Sequence, residues 1–279
     1  MKLTAVAHKP ALVSFEFLEQ RMKFQLLPST FGENGTASPR QHLSCFVIDD
    51  AVAIDAGSLA MATSAAQKKQ IRDVVLTHAH LDHIAGLPLF IDDLFASLEK
   101  PVCVHAVPEV IETLERNVFN WAIYPRFSEL ENANGAVMRY QPFKVGEEFA
   151  VKHLRLTAVS VNHKVSTVGF IVSDGATKFA ISGDTSEMEG FWQIVNAEKN
   201  LSAILLECAF PDELEELALV SHHLTPKTLR KEIEKFRRDE CSIYVINIKP
   251  MYRDEVVRQI EALEIENLQI LEVGQVYEW

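Results

Sequence analysis

Cysteine is scarce in this chain, and the four present (Cys45, Cys103, Cys208 and Cys241) are scattered without a CxxC pair. That spacing fits buried, reduced thiols better than a disulfide framework. Positive charge is also short. Lys+Arg number 27 against 39 Asp+Glu, a formal charge of −12. Such a surface repels phosphate backbones, and with no long basic arm it argues against DNA or tRNA as the main partner. A small anionic substrate stays compatible, because bound cations can reverse the local field. No apolar run is long enough to span a membrane. Nor is there a signal peptide's long uncharged stretch, since residues 11–17 are few and include Glu16. A cytoplasmic protein is expected, with neither internal repeats nor low-complexity segments.

What the chain does have is the composition of an ordinary globular protein, 48% hydrophobic and 24% charged over 279 residues. A second Met-Lys pair, Met22-Lys23, stands directly before the first convincing strand. Residues 1–21 therefore read as an N-terminal extension and 22–279 as one domain. Strands are expected at 24–27, 43–48, 51–54, 74–76, 102–105, 137–141, 149–161, 167–172, 178–182, 203–206, 243–248 and 268–272. A tight turn at Asp49-Asp50 joins the second and third. Helices are expected at 58–69, 86–98, 108–117, 187–196, 212–219, 226–237 and 254–263. Two β-rich blocks, each followed by helices, predict an α/β sandwich of two sheets covered by helices.

One segment concentrates chemistry. Thr77-His78-Ala79-His80-Leu81-Asp82-His83 follows the buried strand at 74–76 and carries four metal-binding side chains in six residues. Imidazole nitrogens and carboxylate oxygens are zinc ligands, and catalytic zinc sites leave a position open for water. A two-residue step on a tight loop can bring His78 and His80 to one ion, while Asp82 and His83 on the next turn can face a second. The N/O donor set favours zinc, with manganese and iron as alternatives.

This His-x-His-x-Asp-His pattern resembles the signature of the metallo-β-lactamase superfamily, which implies a four-layer αββα sandwich. The resemblance also implies three further ligands, in the order His, Asp, His. They correspond to His163 in Ser160-Val161-Asn162-His163, Asp184 in Ile181-Ser182-Gly183-Asp184-Thr185, and His223 in Ser221-His222-His223-Leu224-Thr225-Pro226. The implied sets are His78, His80 and His163 on one ion and Asp82, His83 and His223 on the other, with Asp184 bridging. By the same resemblance Asp55, in Ile54-Asp55-Ala56-Gly57, hydrogen-bonds and orients ligands.

Finer features are similar to the class II cyclic-nucleotide phosphodiesterases: His80-Leu81-Asp82-His83-Ile84-Ala85-Gly86-Leu87-Pro88-Leu89, Asp55-Ala56-Gly57-Ser58-Leu59, Glu207-Cys208-Ala209-Phe210-Pro211, His223-Leu224-Thr225-Pro226 and the aromatic stretch from Asn117 to Pro125. Two departures stand out. His222 occupies a position where that family usually has glycine, leaving both His222 and His223 as candidates for the last ligand. The stretch Leu89-Phe90-Ile91-Asp92 lacks the family's serine.

The resemblance implies hydrolysis of 3′,5′-cyclic nucleotides, cyclic AMP or cyclic GMP, to 5′-monophosphates by a hydroxide bridging two zinc ions. Asp82 would orient that hydroxide, and the leaving oxygen's proton would come from a coordinated water or from His222. Trp121 and Tyr124 are candidates to stack on the base, whereas Phe119 and Phe127 read as core. The expected partner is a small anionic molecule, with no nucleic-acid polymer and no membrane; a homodimer is allowed. Rival readings keep the site but change the substrate to an RNA 3′ end, a lactone, a thioester or a β-lactam, or make the protein a catalytically silent sensor.

Overall fold

Strand Leu201–Glu207 shows how the layers arise. Successive side chains of a strand point to opposite faces, and here Ala203 and Leu205 join one apolar cluster while Ile204 and Leu206 join another. The strand is therefore buried on both sides, which its unbroken apolar run requires. In the computed structural model, which describes residues 21–237 and 241–279, it lies inside a seven-stranded sheet. The order there is Leu268–Ile270, Ser242–Ile246, Leu201–Glu207, Lys178–Ile181, Val168–Ser173, Leu154–Ser160 and Glu148–Val151. A second seven-stranded sheet runs Val276–Glu278, Lys23–Leu26, Phe46–Ile48, Val52–Ile54, Asp73–Val75, Val102–Ala106 and Met138–Pro142.

The larger apolar cluster lies between the sheets and reaches round the second, whose consecutive residues Phe46, Val47 and Ile48 all belong to it. It holds Phe24, Phe46 and Ile54 from one and Leu156, Phe170, Phe179 and Leu205 from the other, together with Leu87, Phe90 and Leu114 from helices Gly86–Leu94 and Pro108–Asn117. The smaller cluster packs the far face of the first sheet, the one that holds Leu201–Glu207, under helices Gly190–Ala197, Pro226–Ile233 and Arg253–Glu261, through Phe191, Trp192, Leu229 and Val256. The result is the αββα sandwich. Among the described residues no disulfide is formed, and no helix is long and apolar enough to cross a membrane.

Several boundaries differ from expectation. The strand expected over 149–161 is a hairpin, Glu148–Val151 paired with Leu154–Ser160 through a two-residue turn in which Lys152 is left-handed (φ 52°). No glycine or asparagine marks that turn, so only the pairing reveals it. The helix expected over 58–69 divides into Leu59–Ala62 and Ala65–Gln70, because Ser64 and Gln67 form a reciprocal capping box that starts a new helix. The Asp49-Asp50 turn forms as read: both residues are left-handed, and the Ala51 N–H bonds the Ile48 carbonyl. Val276–Glu278, an edge strand beside Lys23–Leu26, was not anticipated. Apart from Arg21, the extension expected over 1–21 lies outside the described residues.

Candidate metal centre

Strand Asp73–Val75 lies between two parallel neighbours, Val52–Ile54 and Val102–Ala106. Its C-terminal end therefore opens at the rim where α/β sheets place their sites. The chain leaves the strand through Thr77, His78 and His80, then turns into helix Leu81–Ile84, which carries Asp82 and His83. Main-chain bonds fix this turn. Ser44 N–H bonds the Asp82 carbonyl at 2.8 Å and Ala56 N–H bonds the His83 carbonyl at 2.7 Å. Gly57 makes the contact possible, since a Cβ there would lie 2.0 Å from the Asp82 carbonyl oxygen.

Four more side chains arrive from the other sheet, each at or just past a strand's C-terminal end. His163 follows Leu154–Ser160, Asp184 follows Lys178–Ile181, Glu207 ends Leu201–Glu207, and Asn247 follows Ser242–Ile246. Thr77 O accepts from Val168 N–H at 3.1 Å, which locks the two sheets together beside the cluster.

Two groups of possible ligands result. One consists of His78, His80, His163 and Asp184, the other of Asp82, His83 and Asp184; within each, one ligand atom per residue lies within 4.8 Å of the others. Asp184 belongs to both. His223 stands beside them and in neither, with its ring centre 5.1 Å from that of His163 and its Nδ1 4.0 Å from Asp184 Oδ2.

The outer hydrogen bonds decide which ring atoms face inward. Thr77 Oγ1 donates to the Asp55 carboxylate at 2.9 Å, so it can only accept from His78 Nδ1, also at 2.9 Å. The His78 Nε2 lone pair then points into the cluster, buried and without a hydrogen-bond partner. His83 Nδ1 donates to Asp55 at 2.6 Å and His163 Nδ1 to the His222 carbonyl at 3.0 Å. The His163 Nε2 in turn lies 3.2 Å from His80 Nδ1. Basic nitrogens converging on one another, with His78, His83 and His163 oriented from behind, are what a cation site needs.

The proton affinities agree. Burial drives the His78 imidazole well below its ordinary range, helped by His83. Burial also lowers His80 and takes His163 down to about 4. Burial acts on His83 in the same sense, but Asp184 and Asp55 outweigh it and hold that ring well above the ordinary value. For Asp184, burial is opposed by His83, His78 and His223, and the carboxyl ends well below the usual range. The first group thus offers lone pairs, and in the second a cation would take the place of a proton.

Glu207 is fully buried and accepts from His223 Nδ1 at 2.8 Å and from the Thr185 amide at 3.1 Å. Burial raises its pKa, against the pull of His223. In His223 burial is overcome by Glu207 and Asp184, and its pKa is raised. His222 caps helix Glu215–Ser221 in a left-handed conformation (φ 57°), and its Nδ1 meets Asn162 Oδ1 at 3.0 Å. That backbone is why glycine suits this position.

Trp121 and Tyr124 belong to neither ligand group. Tyr124 Oη donates to Asp92 at 3.2 Å. Asp92 is nine residues past His83, roughly 13 Å along the helical stretch. The Trp121 ring is exposed. Phe119 and Phe127 are buried, as core. Three residues that sequence reasoning gave no role, Glu207, Asn247 and Lys249, do reach the cluster. Lys249 Nζ lies 3.0 Å from Asp82 Oδ2, and the Asn247 side-chain amide donates to Asp184 Oδ1. Their shared signal is position, at or just after the end of a buried strand.

The family described as "Beta-lactamase superfamily domain" matches residues 50–240. A "Probable 3′,5′-cyclic-nucleotide phosphodiesterase" of Yersinia pestis is 24% identical over 224 residues, covering 71% of this chain and 63% of that protein. A 3′,5′-cyclic-nucleotide phosphodiesterase of Aliivibrio fischeri is 29% identical over 182 residues, 60% of this chain and 53% of that one. The matches thus span less than two thirds of these relatives' lengths. Among solved structures, unliganded yeast PDE1 superposes with a TM-score of 0.74 at 16% identity, covering 93% of this chain and 99% of that one. At that identity the likeness concerns the fold.

Proposed function

This chain belongs to the β-lactamase superfamily, and we propose that it is a metal-dependent phosphodiesterase that hydrolyses 3′,5′-cyclic nucleotides to 5′-monophosphates. The observation that carries the metal reading is the convergence of His78, His80, His163 and Asp184 around a buried, unpartnered His78 Nε2. These four would hold one divalent cation, and Asp82, His83 and Asp184 a second; zinc suits the donors. Two such ions supply Lewis acidity toward phosphoryl oxygens and a water acidified toward neutral pH. The cyclic-nucleotide phosphodiesterases among the relatives support the substrate class. The chain's acidic surface suits a small anion better than a polyanion.

The chain's own groups then have distinct tasks. Asp55 and Thr77 hold His83 and His78 in the tautomers that face the cluster. The Asp82 carboxylate would accept a hydrogen bond from the attacking water and align it with phosphorus. His223 is better suited to donate a proton than to be the last ligand. Glu207 holds its Nδ1–H, which would leave Nε2 to carry the proton for the departing 3′ oxygen. His222 orients His163 through its carbonyl.

The test is a substrate panel of cyclic AMP, cyclic GMP, a chromogenic phosphodiester and a lactone, with products identified by chromatography. Formation of 5′-monophosphate is expected. Turnover of the lactone with both cyclic nucleotides untouched would overturn the substrate assignment.

A further inference from the structure

The loop after strand Ser242–Ile246 sends two side chains into the site that the chemistry above leaves unused. Lys249 Nζ lies 3.0 Å from Asp82 Oδ2 and the Asn247 amide donates to Asp184 Oδ1. The segment is anchored, because Asn247 takes a left-handed backbone (φ 58°) and Lys249 N–H bonds the Ala209 carbonyl at 3.1 Å. Both carboxylates of the Asp82, His83 and Asp184 group are therefore already engaged, one by a full positive charge. The only imidazole of that group, His83, is held between Asp55 and Asp184. The other group keeps three imidazoles. Its carboxylate oxygen, Asp184 Oδ2, which faces His78 Nε2 at 3.9 Å, is not the one Asn247 takes.

We infer that the two cation positions are unequal: one divalent ion binds at His78, His80, His163 and Asp184, while the Lys249 ammonium holds the place of a second cation beside Asp82. A second ion enters only by displacing that ammonium. An ammonium on a flexible four-carbon stem can swing away, yet it competes at the high local concentration of a tethered group. The inference rests on the metal reading above, and it makes Lys249 the determinant of how many ions the protein carries at a given metal concentration.

Zinc titration of chelator-stripped protein by calorimetry, with ions counted by mass spectrometry, tests this. The wild type should bind one tight equivalent and a second weaker by about tenfold or more. Lys249→Met should tighten the second equivalent on the order of tenfold and leave the first within about twofold. Asn247→Ala, which frees Asp184 Oδ1, should shift the second equivalent in the same direction and serves if Lys249→Met does not fold. Two equally tight equivalents in the wild type, or no change in the folded variants, would overturn the inference while metal dependence stands. No bound zinc at all would overturn the metal reading itself.

Discussion

Asp55 holds Nδ1 of His83 at 2.6 Å through one carboxylate oxygen, while the other accepts the Thr77 amide at 2.8 Å. One buried acid, itself in a left-handed conformation (φ 59°), thereby orients His83 directly and His78 through the Thr77 hydroxyl. Asp55→Asn keeps the volume but offers an amide where the ring needs an acceptor. Metal affinity should fall about 10- to 100-fold, the usual cost of losing such support. Chelator competition measures it, and wild-type affinity would show that the acid has no orienting role.

Asp184 is the shared member of both ligand groups. Asp184→Ala should abolish phosphodiesterase turnover while the far-ultraviolet circular dichroism stays that of the wild type, since the fold around it rests on strands rather than on this side chain. Residual turnover above a few per cent would mean that the shared position is wrongly assigned.

Gly57 lets the Asp55 turn touch the histidine loop, and a methyl group there meets backbone atoms of Asp82 and Ser44. Backbone cannot yield as a side chain does. Gly57→Ala should therefore destabilise the protein by about 3 kcal/mol, in the upper range for overpacking. Urea denaturation reads the loss; a wild-type midpoint would refute the steric argument.

In metal-free protein His163 has its pKa lowered from 6.5 to about 4, chiefly by burial. The unfolded chain then takes up the proton first as the pH falls. This ring's contribution is whole above about pH 6.5 and is lost progressively toward about pH 4. His78 and His80 act in the same sense, whereas His83 and His223, with raised values, oppose it. His163→Gln should flatten the fall in urea midpoint across that window in the presence of chelator. An unaltered slope would count against the buried, neutral ring.

Much of this arrangement was legible beforehand. The His78–His83 cluster announced itself because four ligand types share six residues after an apolar strand, and the flanking alternation gave the two-sheet architecture. Glu207, Asn247 and Lys249 did not, because a polar residue at or near a strand end is unremarkable until the fold is known to bring Asp82, Asp184 or His223 alongside. The hairpin turn at Lys152 and His153 was hidden for a related reason: cross-strand pairing there overrides a sequence without turn residues. Trp121 and Tyr124 lay in an irregular stretch whose ring directions follow from how it packs, and Tyr124 turned toward Asp92.

His78 and His80 hang from one sheet, His163 and Asp184 from the other. An ion among them is therefore a rivet through the rim of the sandwich. Withdrawing it should loosen that rim first, letting the histidine loop and the ends of the neighbouring strands exchange amide protons faster while the aromatic packing of Phe24, Phe179 and Trp279 keeps the layers closed elsewhere. Metal supply would then govern the mechanical unity of the two halves as well as their chemistry.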